Sequence, residues 1–243
     1  MKKVVIVTGG GRGIGAATAK RLAQQGYAVC VNYRYRHADA EGVAAAIREE
    51  GGEAFAFSAD VANEHDVIQL FDATESRFGK VTHLVNNAGI LFEQTSLKQI
   101  SLQRFQQVMT NNVTSCFLCC REAANRMSRG GAIVNVSSAA SRLGAPNEYV
   151  DYAASKGAMD SLTIGLAQEL APEGIRVNSV RPGLIYTEMH ADGGEPNRVD
   201  RLASHLPLRR GGTPQEVANS IAWLLSEEAS YVTGSFIDIA GGR

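Results

Sequence analysis

The chain has 243 residues, of which 44% are hydrophobic and 20% charged, and its formal net charge is −1. That balance suits a single globular domain, 1–243, and excludes a dedicated nucleic-acid binder, which needs a basic surface. No run is apolar enough to span a membrane, and the lysines at 2 and 3 lead straight into a strand-like run with no signal-peptide pattern. The expectation is a cytoplasmic protein with no membrane or nucleic-acid partner.

In chain order, residues 3–8 form a β-branched run that ends in glycines, and 13–25 are helical up to Gly26. Residues 28–33 are a second strand, 38–50 an alanine-rich helix stopped by Gly51 and Gly52, and 54–58 a third strand. A helix over 64–78 ends at Gly79, and 82–86 are a fourth strand. Helical pattern then runs from 102 to about 127, with a bend expected near Asn111 and Asn112. Strand five covers 132–137, a helix 152–170, and strand six 175–180. Residues 183–213 are rich in Gly, Pro, Arg and His, with one short helical pattern at 199–204. A connection this long is expected to act as an active-site lid. A last helix over 214–225, capped by Thr213 with Pro214 in its first turn, precedes strand seven at 235–239. Continuous apolar strands alternating with helices predict an α/β, Rossmann-like, doubly wound sheet of seven parallel strands.

The turn after strand one is Thr8-Gly9-Gly10-Gly11-Arg12-Gly13-Ile14-Gly15, a G-x-x-x-G-x-G spacing. Glycines let a backbone approach a pyrophosphate closely, and the helix that follows offers its free N–H groups to the anion. Such a turn is common on its own; its place between a strand and a helix makes it a candidate dinucleotide site. Further motifs follow in order: Asp60-Val61, Asn86-Asn87-Ala88-Gly89, Asn135-Val136-Ser137-Ser138, Tyr152-Ala153-Ala154-Ser155-Lys156, and Arg181-Pro182-Gly183 with Thr187. In this ordered set the chain resembles the short-chain dehydrogenase/reductase family over essentially its whole length. The 3-oxoacyl-carrier-protein reductases and the bacterial glucose 1-dehydrogenases are the members it most suggests, the latter through Val31-Asn32-Tyr33-Arg34.

The resemblance implies an oxidoreductase that moves a hydride between a nicotinamide and the carbonyl or alcohol carbon of a small molecule. It implies that Gly9, Arg12, Gly13, Ile14, Gly15, Asp60, Val61, Asn87, Ala88, Gly89, Pro182, Gly183, Ile185 and Thr187 contact the cofactor, with Tyr152 and Lys156. Reducing a carbonyl creates an alkoxide that needs a proton. Tyr152 and Lys156 lie four residues apart on one helix face, where the ammonium is expected to favour a phenolate. Ser138 would stabilise charge on the substrate oxygen. By resemblance, Asn112 would hold a water of a proton relay. Ser137 beside Ser138 and Asn111 beside Asn112 leave both assignments dependent on the family register. Ser138 and Tyr152 are fourteen positions apart, about one more than the family pattern, and the extra residue is placed in the loop 145–150, where it would line the substrate pocket.

An NAD-selective site carries an acidic residue at the end of strand two. Tyr33 stands there instead, followed by Arg34, with Arg36 and Arg12 near, so NADP is the expected cofactor, with NAD possible. The five histidines, at 37, 65, 83, 190 and 205, form no metal set with one another or with cysteines, so no metal is expected, and they are placed on the surface or in loops. Cys116 and Cys119 make a C-x-x-C without a second ligand pair, and are read with Cys120 as core thiols. Apolar residues on several sides of the helices at 102–127 and 152–170 call for a partner surface, and the resemblance implies that the assembly is a homotetramer. The alternative from another class is a regulator that senses NADP(H) without chemistry.

Overall fold

A computed structural model describes residues 2–243. Strand β1 (Val4–Val7) shows how the layers arise. Side chains alternate along a strand, so Val4 and Ile6 enter one apolar layer while Val5 and Val7 enter the other, all at 0–1% exposure. A strand covered on both faces must be apolar throughout, and each such fully buried side chain contributes about 1.5–3 kcal/mol.

The remaining elements follow as α1 (Gly13–Gln24), β2 (Ala28–Tyr33), α2 (His37–Glu49), β3 (Glu53–Ser58), α3 (Glu64–Phe78) and β4 (His83–Asn86). Next come α4 (Leu102–Met109), α5 (Ser115–Arg126), β5 (Ala132–Val136), α6 (Ala140–Leu143), α7 (Val150–Leu170) and β6 (Arg176–Pro182). Helices α8 (Met189–Asp192), α9 (Arg198–Ala203) and α10 (Pro214–Leu225) precede β7 (Phe236–Ile239). The seven strands lie in the order β3-β2-β1-β4-β5-β6-β7, every neighbouring pair parallel. Leu70 and Phe71 of α3, Cys116, Cys119 and Cys120 of α5, and Met159 of α7 cover one face. Leu22 of α1, Val43 and Ile47 of α2, and Ile221 and Leu224 of α10 cover the other. The chain winds outward from β1 to β3 and then returns to β4, so the sheet's direction of winding reverses between β1 and β4. Ligands of such sheets sit at the carboxyl ends of the strands at that reversal.

Local chemistry sets the helix ends. Thr213 Oγ1 accepts from Glu216 N at 3.3 Å while Glu216 Oε2 accepts from Thr213 N at 2.8 Å, a reciprocal cap with Pro214 in the first turn. The bend expected near Asn111 is a five-residue π-helical turn, Thr110–Thr114, between α4 and α5. Segment 183–213 is more structured than its composition suggested: α8 and α9 lie within it, and Ile185 pairs with Gly212 at its neck. One expectation is overturned. His83 is a core residue of β4, 5% exposed and set edge-on to Tyr27 with ring centres 5.0 Å apart. Burial holds its imidazole neutral, with a pKa lowered to about 4.

Candidate active site

The turn after β1 and the turn after β4 are tied into one wall. Thr8 Oγ1 accepts from the backbone N–H groups of Asn87 and Ala88, both at 3.0 Å, and Asn87 Nδ2 donates to the carbonyls of Thr8 (2.9 Å) and Gly9 (3.0 Å). Gly9 and Gly13 take left-handed conformations, φ +60° and +51°. Gly15 is glycine for space: a Cβ there would stand 2.3 Å from the Gly9 carbonyl oxygen. It shapes the turn from behind and does not line the crevice.

That crevice is lined by Gly9, Arg12, Gly13 and Ile14 from the first turn, by Asp60 and Val61 after β3, by Asn87, Ala88 and Gly89 after β4, and by Thr187. Arg34 also lines it, its Nη2 2.9 Å from Asp60 Oδ2 and its Nη1 3.2 Å from Asn111 Oδ1. Tyr33 does not reach the crevice; its hydroxyl meets His37 Nδ1 at 2.7 Å, and Asn32 and Tyr35 take the lining positions. Arg36 likewise pairs outward with Asp39 at 3.6 Å. Arg12 pairs through Nη2 with Asp192 of α8, while its Nη1 is buried without a partner. A buried guanidinium donor left unpaired beside a glycine cradle fits an anionic group such as a dinucleotide phosphate.

A second hollow adjoins the first and shares Ile14, Asn87, Thr187 and Met189 with it. Ser138, Tyr152 and Lys156 line it, with Pro182, Gly183 and Ile185. Gly183 answers to packing as well, since a Cβ there would lie 2.8 Å from Ala240 Cα. Ser137 is used in structure, its hydroxyl donating to the Lys156 carbonyl at 3.2 Å in the buried core. Ser138 Oγ accepts from Ala140 N at 3.1 Å, which leaves its own hydrogen to donate toward the Tyr152 hydroxyl or a ligand in the hollow.

Tyr152 is held from several directions. Asp151 Oδ1 accepts from Tyr152 N at 3.0 Å, and Arg104 Nε grips Asp151 Oδ2 at 2.7 Å. Ser155 Oγ donates to the Tyr152 carbonyl at 2.7 Å and accepts from Asn112 Nδ2 at 3.0 Å. Asn112 also accepts from Ile90 N at 2.8 Å and donates to Ile90 O at 3.0 Å, so its side-chain amide is fully engaged. The sequence reading missed the positioning pair Arg104 and Asp151, which lie 47 residues apart. Lys156 Nζ lies 5.5 Å from the Tyr152 ring centre, donating to Val136 O at 2.8 Å and to Met159 Sδ at 3.4 Å.

The electrostatics differ from the expected phenolate. Burial pushes the Tyr152 phenol up to about 12; hydrogen bonding with Ser138 only partly offsets this. Burial also lowers Lys156 to about 8, against the pull of Cys116 and Asp160. Desolvation is the largest influence on both groups, and with its pKa raised the Tyr152 phenol keeps its proton at neutral pH. Among the described residues no three His, Cys, Asp or Glu side chains converge as a metal site would require, and no helix is long and apolar enough to cross a membrane.

Several known proteins resemble this chain. A family model described as Enoyl-(Acyl carrier protein) reductase matches residues 9–243. The chain is 57% identical over 245 residues to "Uncharacterized oxidoreductase YgfF" of Escherichia coli K12, covering 99% of each. It is 37% identical to the 3-oxoacyl-[acyl-carrier-protein] reductase of Staphylococcus epidermidis, covering 100% of this chain and 99% of that one. A short-chain dehydrogenase from Burkholderia cenocepacia, solved in complex with NADP, superposes with a TM-score of 0.91 at 35% identity, covering 99% of this chain and 97% of that one.

Proposed function

The chain belongs to the short-chain dehydrogenase/reductase family of oxidoreductases, and on that premise we propose that it interconverts a small-molecule carbonyl and its alcohol, with Tyr152 as the general acid and base. The observation that carries this reading is the meeting of Ser138, Tyr152 and Lys156 in a hollow that opens onto the nucleotide crevice.

A bound nicotinamide would supply the hydride in reduction and accept it in oxidation. In reduction, the neutral Tyr152 phenol gives its proton to the substrate oxygen, while Ser138 donates a hydrogen bond to the same oxygen. The phenolate left behind lies near the Lys156 ammonium, which lowers the cost of forming it. Val136 O and Met159 Sδ take two of the Lys156 donors, leaving a third for a ribose hydroxyl. Because the Asn112 amide is engaged, a proton relay at this residue would use its main-chain oxygen. Segment 183–213 acts as the lid, with Asp192 bridging to Arg12 across the nucleotide crevice.

The preferred cofactor is NADP, with NAD also accepted. Support comes from Arg34 in the crevice, from the lack of an acidic residue at the end of β2, and from the Burkholderia relative solved with NADP. The unpaired Arg12 Nη1 fits a phosphate. A cofactor sensor without chemistry has no observation in its favour. The four buried free thiols suit the reducing cytoplasm. A homotetramer is supported by Phe117 of α5 and Ile164 of α7, 44% and 47% exposed on outward helix faces. Sedimentation showing a stable monomer at micromolar concentration would rule that assembly out. The test of the activity is a panel of ketones and alcohols followed by nicotinamide absorbance; no turnover with any of them would remove the enzymatic reading.

A further inference from the structure

Arg198, on α9, is 4% exposed and lines the substrate hollow. A guanidinium this buried needs partners, and it draws them from separate parts of the chain. Its Nη2 meets Glu148 Oε2 at 2.6 Å, in the loop between α6 and α7, and its Nη1 meets Glu195 Oε2 at 3.0 Å, just before α9. Glu195 Oε2 in turn accepts from Gln94 Nε2 at 2.5 Å, in the loop after β4. The guanidinium also lies 5.3 Å from the Tyr149 ring centre, and that ring meets Tyr152 edge-on at 5.8 Å.

One side chain thus joins the three segments that border the hollow on the side away from the nucleotide crevice. The loop that presents Glu148 is itself constrained. Ala145 and Asn147 hold left-handed conformations, φ +44° and +58°, and the Glu148 carbonyl accepts from Thr95 N at 2.7 Å. A loop pinned through its backbone, carrying a carboxylate aimed at a buried arginine, is a fixed wall.

We infer that Arg198 is a specificity-determining positioning residue: by clasping Glu148 and Glu195 it fixes the outer wall of the substrate hollow and restricts the enzyme to compact carbonyl compounds. Glu195 keeps a second partner in Arg201, whose Nε lies 2.5 Å from its Oε1, so removing the Arg198 guanidinium strips Glu148 of its partner and cuts the link that holds α9 to the loop at 145–150. The hollow then opens outward, while Ser138, Tyr152 and Lys156, on other elements, keep their places.

This inference builds on the proposed carbonyl chemistry, so its test has one arm that needs no activity. Arg198→Met keeps the bulk and removes the charge; Glu148→Gln weakens the same contact from the other side, should the first variant fold poorly. Limited proteolysis within 189–203 is expected to be at least roughly tenfold faster in Arg198→Met, as a segment released from its contacts opens more often. In a graded series of methyl ketones with NADPH, KM for the smallest substrate is expected to rise about tenfold while kcat moves less than about threefold, and longer ketones gain relative to it. Glu148→Gln should move both readouts the same way by a smaller factor. Unchanged cleavage in a folded variant overturns the clasp, and faster cleavage with KM and the size profile unmoved overturns its role in specificity. If the unaltered protein reduces no ketone, the catalytic reading fails and the cleavage arm still decides the clasp.

Discussion

The two hollows that meet at Met189 and Thr187 are built by different means. The nucleotide crevice is made of backbone: left-handed glycines, the turn after β4 locked onto Thr8, and two short loops at strand ends. The substrate hollow is made of side chains that converge from distant parts of the chain: Arg198 and Glu148, which line it, are fifty residues apart, and Arg104 and Asp151, which back Tyr152, are forty-seven. A site made of backbone tolerates little change in covalent geometry but presents the same face whatever surrounds it. A site made of converging side chains can be reshaped by exchanging a few of them, as suits a family whose members share a cofactor class and differ in substrate.

The sharpest break in this comparison comes from Tyr152→Phe. Turnover should fall by roughly 10³-fold or more, the scale of a lost general acid, while NADPH affinity by fluorescence titration stays within about threefold. Substantial remaining turnover would show that the proton comes from elsewhere. Gly15→Ala attacks the other hollow. With a Cβ placed 2.3 Å from the Gly9 oxygen, the turn must shift, and NADPH affinity is expected to fall at least roughly tenfold along with Tm. Normal affinity would mean that the cradle gives way more easily than its geometry implies.

Lys156 lines the substrate hollow, and its titration gives a smaller, signed effect. Its folded pKa of about 8 lies below its ordinary 10.5. Between those values the unfolded chain keeps a proton that the folded chain has released, so this group's contribution makes stability rise with pH across that window and level off below it. Denaturant unfolding at pH 8 and pH 10 should show the unaltered protein gaining on the order of 2 kcal/mol relative to Lys156→Met. Parallel pH dependences in the two proteins would refute the depressed lysine. The mildest change is Arg34→Ala, expected to lower the ratio of kcat/KM for NADPH over NADH by about tenfold through loss of a phosphate partner. Because Tyr33 turns to His37, adding Tyr33→Asp should contribute less than the arginine change. An unmoved ratio would mean that Arg34 serves only Asp60 and Asn111.

What the sequence revealed follows the same division. Thr213 and Pro214 announced the start of α10 because a cap is a local device, and the motif glycines announced the turn because positive φ is a property of one residue. Ser138 could be separated from Ser137 only in three dimensions, where Ser137 is spent on the Lys156 carbonyl. Tyr33 was counted into the cofactor site by position, and position does not say that its ring turns toward α2. His83, one of five scattered histidines expected on the surface or in loops, lies instead inside β4, edge-on to Tyr27. Nothing near residue 198 marks that arginine as buried, since its partners at 148 and 195 become visible only when the chain closes on itself.

The π-helical turn at Thr110–Thr114 sets the two flanks of the helix at 102–126 out of step with each other. Such a turn holds one residue more than an α-helical turn does, and short π-helical turns inside helices are frequent at functional sites. Asn112 lies inside this turn, its amide bonded to Ile90 and Ser155. Shortening 110–114 by one residue would restore a regular α-helix with better local hydrogen bonding, and would swing one flank about 100° around the axis relative to the other. The helix would improve while the support beneath Tyr152 came apart. At this turn, local helix stability and the support of Tyr152 therefore pull in opposite directions.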